Sequence, residues 1–223
     1  MCKSILGCGT VLAAAFTLST AAPASAGFYK NIDVLDDSFD DWNDVPVLTN
    51  DPSGDGNPID LNTVQIANDE DYLYLRITYH TAVNPNASPS VFLAFDTDNN
   101  VATGFNIYGL GAVGSDAAFQ NDFPFDQRTD YNAGGLSAPA GIAPYFAVTT
   151  SQEYRIRRDL TYTNDDVSVF GDSFTLMVWT GDADGATADA TEGIFYEFAP
   201  VPEPAALSLL ALGGLGLLRR RRA

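Results

Sequence analysis

Short apolar segments, separated by clusters of Gly, Asn, Asp and Pro, make up the chain between residues 27 and 200. In the clearest of them, Leu73, Leu75 and Ile77 alternate with more polar residues, and this two-residue period predicts a strand with one buried face. The continuous apolar run at 91–95 has the length of a strand and predicts one in the middle of a core. No segment of helical period and convincing length lies between residues 27 and 200. The sequence therefore predicts an all-β fold, a single antiparallel β-sandwich.

Turn-forming residues mark the other predicted strands. The segment 64–67 is followed by the turn residues 68–71 and then by the alternating strand, which predicts a β-hairpin. Further strands are predicted at 116–120, 145–149, 153–157, 174–180 and 193–198. The stretch 123–144 is rich in Gly, Ala and Pro and is predicted to be an extended loop. Within 27–200 the sequence shows neither an internal repeat nor a domain boundary.

The first residues have the pattern of a secretory signal peptide. Lys3 is followed by the apolar segment 11–18, and small residues form a cleavage site at Ala24 and Ala26. We therefore predict that this segment forms a signal-peptide helix and that signal peptidase removes it. The mature chain is predicted to begin at Gly27.

Residues 201–223 form a second segment of distinct character. A Pro-Glu-Pro triplet precedes a mostly apolar segment at 205–218 and a terminal cluster of arginines. As a helix with a rise of about 1.5 Å per residue, the apolar segment spans about 21 Å, less than the hydrocarbon core of about 30 Å. This length favours transient anchoring by a short transmembrane helix with the arginines on the cytoplasmic side, and an ordinary C-terminal membrane anchor is the alternative. The residues of the pattern are Pro202, Glu203, Pro204, Arg219, Arg220, Arg221 and Arg222.

This arrangement resembles the PEP-CTERM sorting signal of Gram-negative bacteria. The resemblance implies that the chain is exported across the inner membrane, contacts that membrane transiently and is cleaved by an exosortase. Its destination is then the cell surface or the extracellular matrix. The predicted organisation is a signal peptide at 1–26, a β-sandwich domain at 27–200, and a sorting signal at 201–223 with a short hydrophobic helix.

Charge and cysteine content limit the partners of the predicted domain. Six basic and 28 acidic residues lie between 27 and 200, a net charge of −22. No basic patch is present to displace counterions, which excludes nucleic-acid binding and binding to anionic membranes. The charge favours divalent cations and neutral polymers as partners, or it only keeps an exported protein soluble. Both cysteines, Cys2 and Cys8, lie in the predicted signal peptide, so the domain is predicted to depend on its core or on metal rather than on disulfides.

Oxygen-bearing side chains are clustered directly after the apolar run at 91–95. Asp96, Asp98 and Asn100 are spaced at every second position, and calcium takes six to eight hard oxygen ligands. The loop is not an EF-hand, because Val101 and Ile107 occupy the positions of the loop glycine and the bidentate glutamate. A remote acid must then complete the site, and the alternative is an Asx-rich turn without metal. The predicted ligands of a structural calcium ion are Asp96, Asp98, Asn100 and Asp116.

Several segments of the predicted domain stand in the order found in family-nine carbohydrate-binding modules. They are residues 36–42, 66–75, 95–104, 114–116 and 153–156. The resemblance to these modules, and to the related DOMON domains, implies a β-sandwich with a sugar-binding face. It also implies structural calcium at the positions of Asp96, Asp98 and Asp116.

Sugar-binding faces use aromatic rings that stack on pyranose rings. Trp42 and Trp179 are predicted to pack in the core instead. The carbohydrate-binding residues stay unassigned, and the candidates in or beside the predicted loop are Tyr108, Phe119, Phe123, Phe125, Tyr131 and Tyr145.

Three functional hypotheses follow from these patterns. The first is an exported, non-catalytic, calcium-stabilised carbohydrate-binding-like module associated with exopolysaccharide. The second is a purely structural surface or biofilm protein without a specific ligand, and the third is a polysaccharide-processing enzyme. The internal glutamates belong to no recognisable catalytic motif, and Glu153 is predicted to pair with Arg155 or Arg157 on its strand. We therefore predict no catalytic residues.

Overall fold

The computed structural model describes residues 27–202 except 86, 88, 145–147 and 182–186. Within this part the fold is all-β, with a single short 3₁₀ helix at Asp40–Trp42. The predicted helices of the signal peptide and of the sorting signal lie outside the described residues. The strands are β1 Val47–Asn50, β2 Leu61–Asn68, β3 Tyr72–Val83, β4 Ser90–Asp96, β5 Phe105–Asn106, β6 Gly114–Ser115, β7 Ala117–Gln120, β8 Phe123–Asp126, β9 Gly141–Ile142, β10 Thr149–Arg157, β11 Ser173–Gly181, β12 Thr187–Ala190 and β13 Ile194–Glu197.

Two antiparallel sheets form a sandwich-like arrangement. The first sheet has the order β1-β2-β3-β10-β9. The second has the order β12-β11-β4-β7-β8, and β13 pairs with the other part of the β11 edge. Strands β5 and β6 form a separate two-stranded ribbon. The predicted all-β, antiparallel fold is confirmed, and the predicted hairpin corresponds to β2 and β3.

The main core lies between the two sheets. Leu73, Leu75 and Ile77 of β3 are fully buried there, in one cluster with Leu93 and Phe95 of β4. The alternation on β3 therefore marks its inward face, as predicted. Each fully buried aliphatic side chain of this kind stabilises the fold by about 1.5–3 kcal/mol.

The run 91–95 of β4 is continuously apolar, and both faces of this strand are covered. Leu93 faces the main core, whereas Phe92 lies in a second cluster on the outer face of the same sheet. Trp179 stacks on Phe92 with ring centroids 4.1 Å apart and planes 8° from parallel. Ile107 and Val113, from the loop at 97–116, cover this cluster from outside. The predicted core role of Trp179 is thus confirmed.

The N-terminal segment covers the outer face of the first sheet. Ile32, Val34 and Trp42 are buried in one cluster with Tyr74 of β3. Tyr74 belongs to the more polar phase of that strand, and this segment shields it from water. Trp42 packs in the core, as predicted.

The prediction of an extended loop at 123–144 is wrong at both ends, because β8 lies at its start and β9 lies near its end. Strand β8 pairs with β7 because Phe125 is buried in the outer cluster of the second sheet. Strand β9 adds to the edge of the first sheet beside β10. Of the strand predicted at 145–149, residues 145–147 lie outside the described part, and Thr149 begins β10.

Asn68, at the end of β2, forms hydrogen bonds with both the first and the last segment of the domain. Its side-chain oxygen accepts hydrogen bonds from the Tyr196 hydroxyl and the Ala199 amide, both at 2.8 Å. Its side-chain amide donates to the Ala199 carbonyl at 3.1 Å, and its backbone amide donates to the Phe28 carbonyl at 2.9 Å. The two ends of the domain therefore meet at one buried residue.

Replacing Asn68 by alanine is expected to lower the free energy of unfolding by about 2 kcal/mol, because the Ala199 amide and the buried Tyr196 hydroxyl lose their acceptor. Urea denaturation measures this loss. Asn132→Ala, at an exposed asparagine, is the matched control and should change stability by less than about 0.5 kcal/mol. Equal losses in the two variants would contradict the role of Asn68.

Candidate functional site

Three carboxylates converge where β4 ends. Asp96 is the last residue of β4, and Asp116 lies between β6 and β7. The Asp116 amide donates to the Phe95 carbonyl at 2.8 Å, which places Asp116 directly beside the end of β4. Oxygen atoms of Asp96, Asp98 and Asp116 lie within 4.8 Å of one another. The structure thus brings together three of the four residues predicted to bind calcium.

Backbone amides hold the two buried carboxylates of this cluster. Asp96 accepts hydrogen bonds from the Asn100 amide at 2.9 Å and from the Gly114 amide at 3.3 Å. Asp116 accepts from the Thr97 amide at 2.9 Å. A Cβ atom at position 114 would lie 2.0 Å from the Thr103 carbonyl oxygen, so only glycine allows this approach.

The exposed part of the cluster is an Asx-rich turn. Asp98 accepts hydrogen bonds from the Asn100 amide at 2.9 Å and from the Thr103 hydroxyl at 3.0 Å. Asn100, the fourth predicted ligand, directs its side-chain oxygen to the Ala102 amide at 3.2 Å. Asn100 therefore contacts the cluster through its backbone amide, and its role as a ligand stays a prediction.

The electrostatics of the cluster favour a bound cation. Burial raises the pKa of Asp96, and the nearby Asp98 and Asp116 raise it further. Burial also raises the pKa of Asp116, and the Asp98 charge adds to this effect. No salt bridge in the described part of the chain involves any of the three. Closely spaced carboxylate oxygens without a basic partner fit a hard divalent cation such as calcium.

An aromatic patch lies on the outer face of the second sheet. It adjoins the loop at 97–116, which begins and ends at the cluster of Asp96, Asp98 and Asp116. Phe105 and Tyr108 belong to this loop, and their ring centroids are 5.9 Å apart. Tyr131 lies 5.7 Å from Phe105 and 6.5 Å from Tyr108. The edge of Tyr108 packs on the buried Trp179 at 5.7 Å. We define the aromatic patch as Phe105, Tyr108, Phe123, Phe125 and Tyr131.

Tyr108 is the most unusual residue of the patch. Its side chain is 46% exposed, and its backbone has a φ of 43°. The other described non-glycine residues with positive φ are Asn or Asp, which tolerate this conformation. A tyrosine adopts it only where its surroundings fix it, and such residues are concentrated at binding sites. The Trp179 and Phe105 contacts supply this support, together with a 3.1 Å hydrogen bond from the Gly109 amide to Asn106 Oδ1.

The predicted aromatic candidates have different environments. Tyr108 and Phe123 are exposed and Tyr131 is partly exposed, whereas Phe125 is the buried member of the patch. Phe119 is wrong as a surface candidate, because it faces the main core. Tyr145 lies outside the described residues. Phe105 was missed, although its position in the loop after the Asp96 cluster was a usable signal.

The internal glutamates differ in exposure, because Glu153 is buried and the other three are exposed. Glu153 is 2% exposed and accepts a hydrogen bond from the Trp42 indole. Burial raises the pKa of Glu153 to about 7, while the Trp42 hydrogen bond and the Arg76 charge act in the opposite direction. Its predicted pairing with Arg155 or Arg157 is wrong, since Arg157 forms a salt bridge with Asp159 and Arg155 lies over the Tyr72 ring. The other internal glutamates, Glu70, Glu192 and Glu197, are exposed.

The C-terminal segment of the chain matches a known sequence motif. Residues 200–222 match the PEP-CTERM protein-sorting motif. This match confirms the resemblance recognised from the Pro-Glu-Pro triplet and the terminal arginines, and it indicates a secreted protein that an exosortase sorts to the cell surface. Within the described residues no helix is both long and apolar enough to span a membrane.

One solved protein structure is also similar to the chain. The chain is similar to a family-nine carbohydrate-binding module from Caldicellulosiruptor kristjanssonii, solved in complex with cellotriose. The similarity covers 80% of this chain and 94% of the module, at 12% sequence identity and a TM-score of 0.45. No curated protein sequence matches the chain.

Proposed function

We propose that the chain is an exported surface protein whose domain is a non-catalytic, calcium-stabilised module that binds neutral exopolysaccharide. Signal peptidase would cleave after Ala26, and an exosortase would process the segment containing Pro202, Glu203 and Pro204. One observation carries the proposal for the domain. The loop that bears the exposed Tyr108 begins and ends at the Asp96, Asp98 and Asp116 cluster.

Calcium at this cluster would hold the two ends of the loop together. Asp96 and Asp98 lie at its start and Asp116 lies at its end, so a shared cation joins chain segments that the sequence separates. Fixing the loop ends reduces the conformational entropy that the loop loses when it binds a ligand. The cation therefore acts on the binding face through the loop, without contacting the sugar.

The aromatic patch has the chemistry that a sugar ring requires. Exposed tyrosine rings offer apolar faces for stacking and hydroxyl groups for hydrogen bonds to the ligand. Tyr108 and Tyr131 lie close enough for adjacent sugar units of one polymer to contact both. The net charge of −22 in the domain repels acidic polymers, which favours a neutral polysaccharide.

Tyr108→Ala is expected to weaken polysaccharide binding about tenfold, because the loss of one stacking contact costs about 1.4 kcal/mol. Affinity electrophoresis of the secreted protein through gels containing neutral polysaccharides measures this change. Tyr29→Ala is the matched control, because Tyr29 is also exposed but lies beside the first sheet. It should bind like the wild type.

The same assay separates the three functional hypotheses. Chelation of calcium is expected to weaken polysaccharide binding by the wild type, because the two ends of the loop at 97–116 are then no longer held together by the ion. Absence of saturable binding to any polysaccharide would support the purely structural role. Turnover of a polysaccharide, lost on replacing an exposed glutamate by glutamine, would support an enzyme. Glu153 is a poor candidate for catalysis because Trp42 covers it.

A further inference from the structure

A second group of carboxylates lies at one end of the sandwich, away from the Asp96 cluster. Asp51 and Asp55 belong to the segment between β1 and β2, and Asp189 belongs to β12. Oxygen atoms of these three residues lie within 4.8 Å of one another. The group therefore connects the first sheet with the edge of the second. No salt bridge among residues that the structure describes neutralises it.

A buried hydroxyl beside this group has no hydrogen-bond partner. Thr180 of β11 is directly opposite Asp189 of β12 in the strand register. Opposite residues of antiparallel strands have their side chains on the same face, with Cβ atoms about 5 Å apart. Thr180 is 0% exposed, and its Oγ1 atom has no partner within the described structure. An unsatisfied buried hydroxyl is costly, so this oxygen indicates an additional ligand next to Asp189.

Asp51 also has a buried oxygen atom without a hydrogen-bond partner. Its Oδ2 atom is inaccessible to solvent and accepts no hydrogen bond from any described group. Carboxylate oxygens within 4.8 Å of one another repel when no cation lies between them. The group is therefore unfavourable as three free carboxylates.

The surrounding backbone holds the group in place. The Leu61 amide donates to Asp189 Oδ2 at 2.7 Å. Asp60 accepts hydrogen bonds from the Gly54 and Gly56 amides, which folds the segment 54–60 into a compact turn. A Cβ atom at Gly56 would lie 2.5 Å from Asp189 Oδ2, so this turn reaches the carboxylate only because residue 56 is glycine.

We propose that Asp51, Asp55 and Asp189, together with the Thr180 hydroxyl, bind a second calcium ion. All of these donors are oxygens, and three of them are carboxylates, which suits calcium better than a softer metal. The ion fastens the segment between β1 and β2 to β11 and β12, and so joins the two sheets at this end. This site is separate from the cluster proposed to order the Tyr108 loop.

Native mass spectrometry of the secreted protein in calcium tests this site. Asp55→Asn is expected to bind one calcium ion fewer than the wild type, and because Asp55 is exposed the change leaves the fold intact. Asp189→Asn should lose the same ion. Asp172→Asn, at an exposed aspartate outside both clusters, should keep the wild-type number. Asp98→Asn reports on the first cluster, so failure of one site is distinguishable from failure of the other.

The Thr180 hydroxyl provides a second test that does not remove a charge. Thr180→Val is expected to weaken calcium binding at this site about tenfold, measured by calorimetric titration of the Asp98→Asn background. Without a metal at this site, the change would only remove an unsatisfied hydroxyl. Wild-type stoichiometry in both Asp55→Asn and Asp189→Asn would overturn the proposal, as would unchanged calcium affinity in Thr180→Val.

Discussion

Chelation of calcium is expected to lower the free energy of unfolding by about 3 kcal/mol for each ion removed, relative to protein with calcium at about 100 times its dissociation constant. An ion bound only by the folded state stabilises that state, and its removal leaves Asp96 and Asp116 as buried, mutually repelling carboxylates. For a domain of this size, the loss of each ion corresponds to a melting temperature about 6–12 °C lower. Circular dichroism during heating, with calcium or with a chelator, measures the shift.

Variants assign this effect to the carboxylates. Asp98→Ala is expected to lower the melting temperature in calcium and to reduce the calcium-dependent shift. The double variant Asp98→Ala and Asp189→Asn should lose the shift almost entirely. Asp172→Ala, at an exposed aspartate outside both clusters, should retain it in full. A wild-type melting curve that is identical with calcium and with chelator would rule out both metal sites.

Stability is also expected to fall by about 3 kcal/mol as the pH rises from 4.5 to 8, through Glu153 alone. Burial raises the pKa of this carboxyl from 4.5 to about 7 in the folded protein. Between these values the folded protein keeps a proton that the unfolded chain has released, so a higher pH favours unfolding. The contribution is fully present below about pH 4.5 and is lost as the pH rises through about 7.

Glu153→Gln removes this titration, and its unfolding free energy should depend much less on pH than that of the wild type. Urea denaturation across this pH range, in saturating calcium, isolates the effect because the metal-binding carboxylates then stay ionised. Glu197→Gln replaces an exposed glutamate and should follow the wild-type curve. Parallel curves for the wild type and Glu153→Gln would show that Glu153 is not the titrating group.

The sequence predicted the parts of the fold that depend on local side-chain order. The alternation at Leu73, Leu75 and Ile77 identified the inward face of β3, because the period of a strand is set by its own backbone. The burial of Tyr74 depends instead on the distant N-terminal segment that packs over it. The strands β8 and β9 were missed for a similar reason, since pairing with β7 and β10 outweighs their Gly- and Pro-rich composition.

The candidate sites also differ in how far they can be predicted from neighbouring residues of the sequence. The spacing of Asp96 and Asp98 is visible in the sequence, and the antiparallel pairing of β4 and β7 places Asp116 beside them. The group of Asp51, Asp55 and Asp189 has no such local pattern, because Asp51 and Asp55 follow β1 of the first sheet and Asp189 lies far along the chain in β12 of the second. Only the packing of the sheets brings them together. Calcium at either group stays a prediction.

Asn68 brings the first and last described segments of the domain to one place. Phe28 and Ala199 adjoin the same residue, close to the two positions at which the chain is predicted to be cut. Signal peptidase and exosortase would thus both act next to one corner of the domain. A domain attached through its processed C-terminus would be held at that one corner. Phe28 and Ala199 therefore lie together beside Asn68, whereas the rings around Tyr108 belong to the outer face of the second sheet.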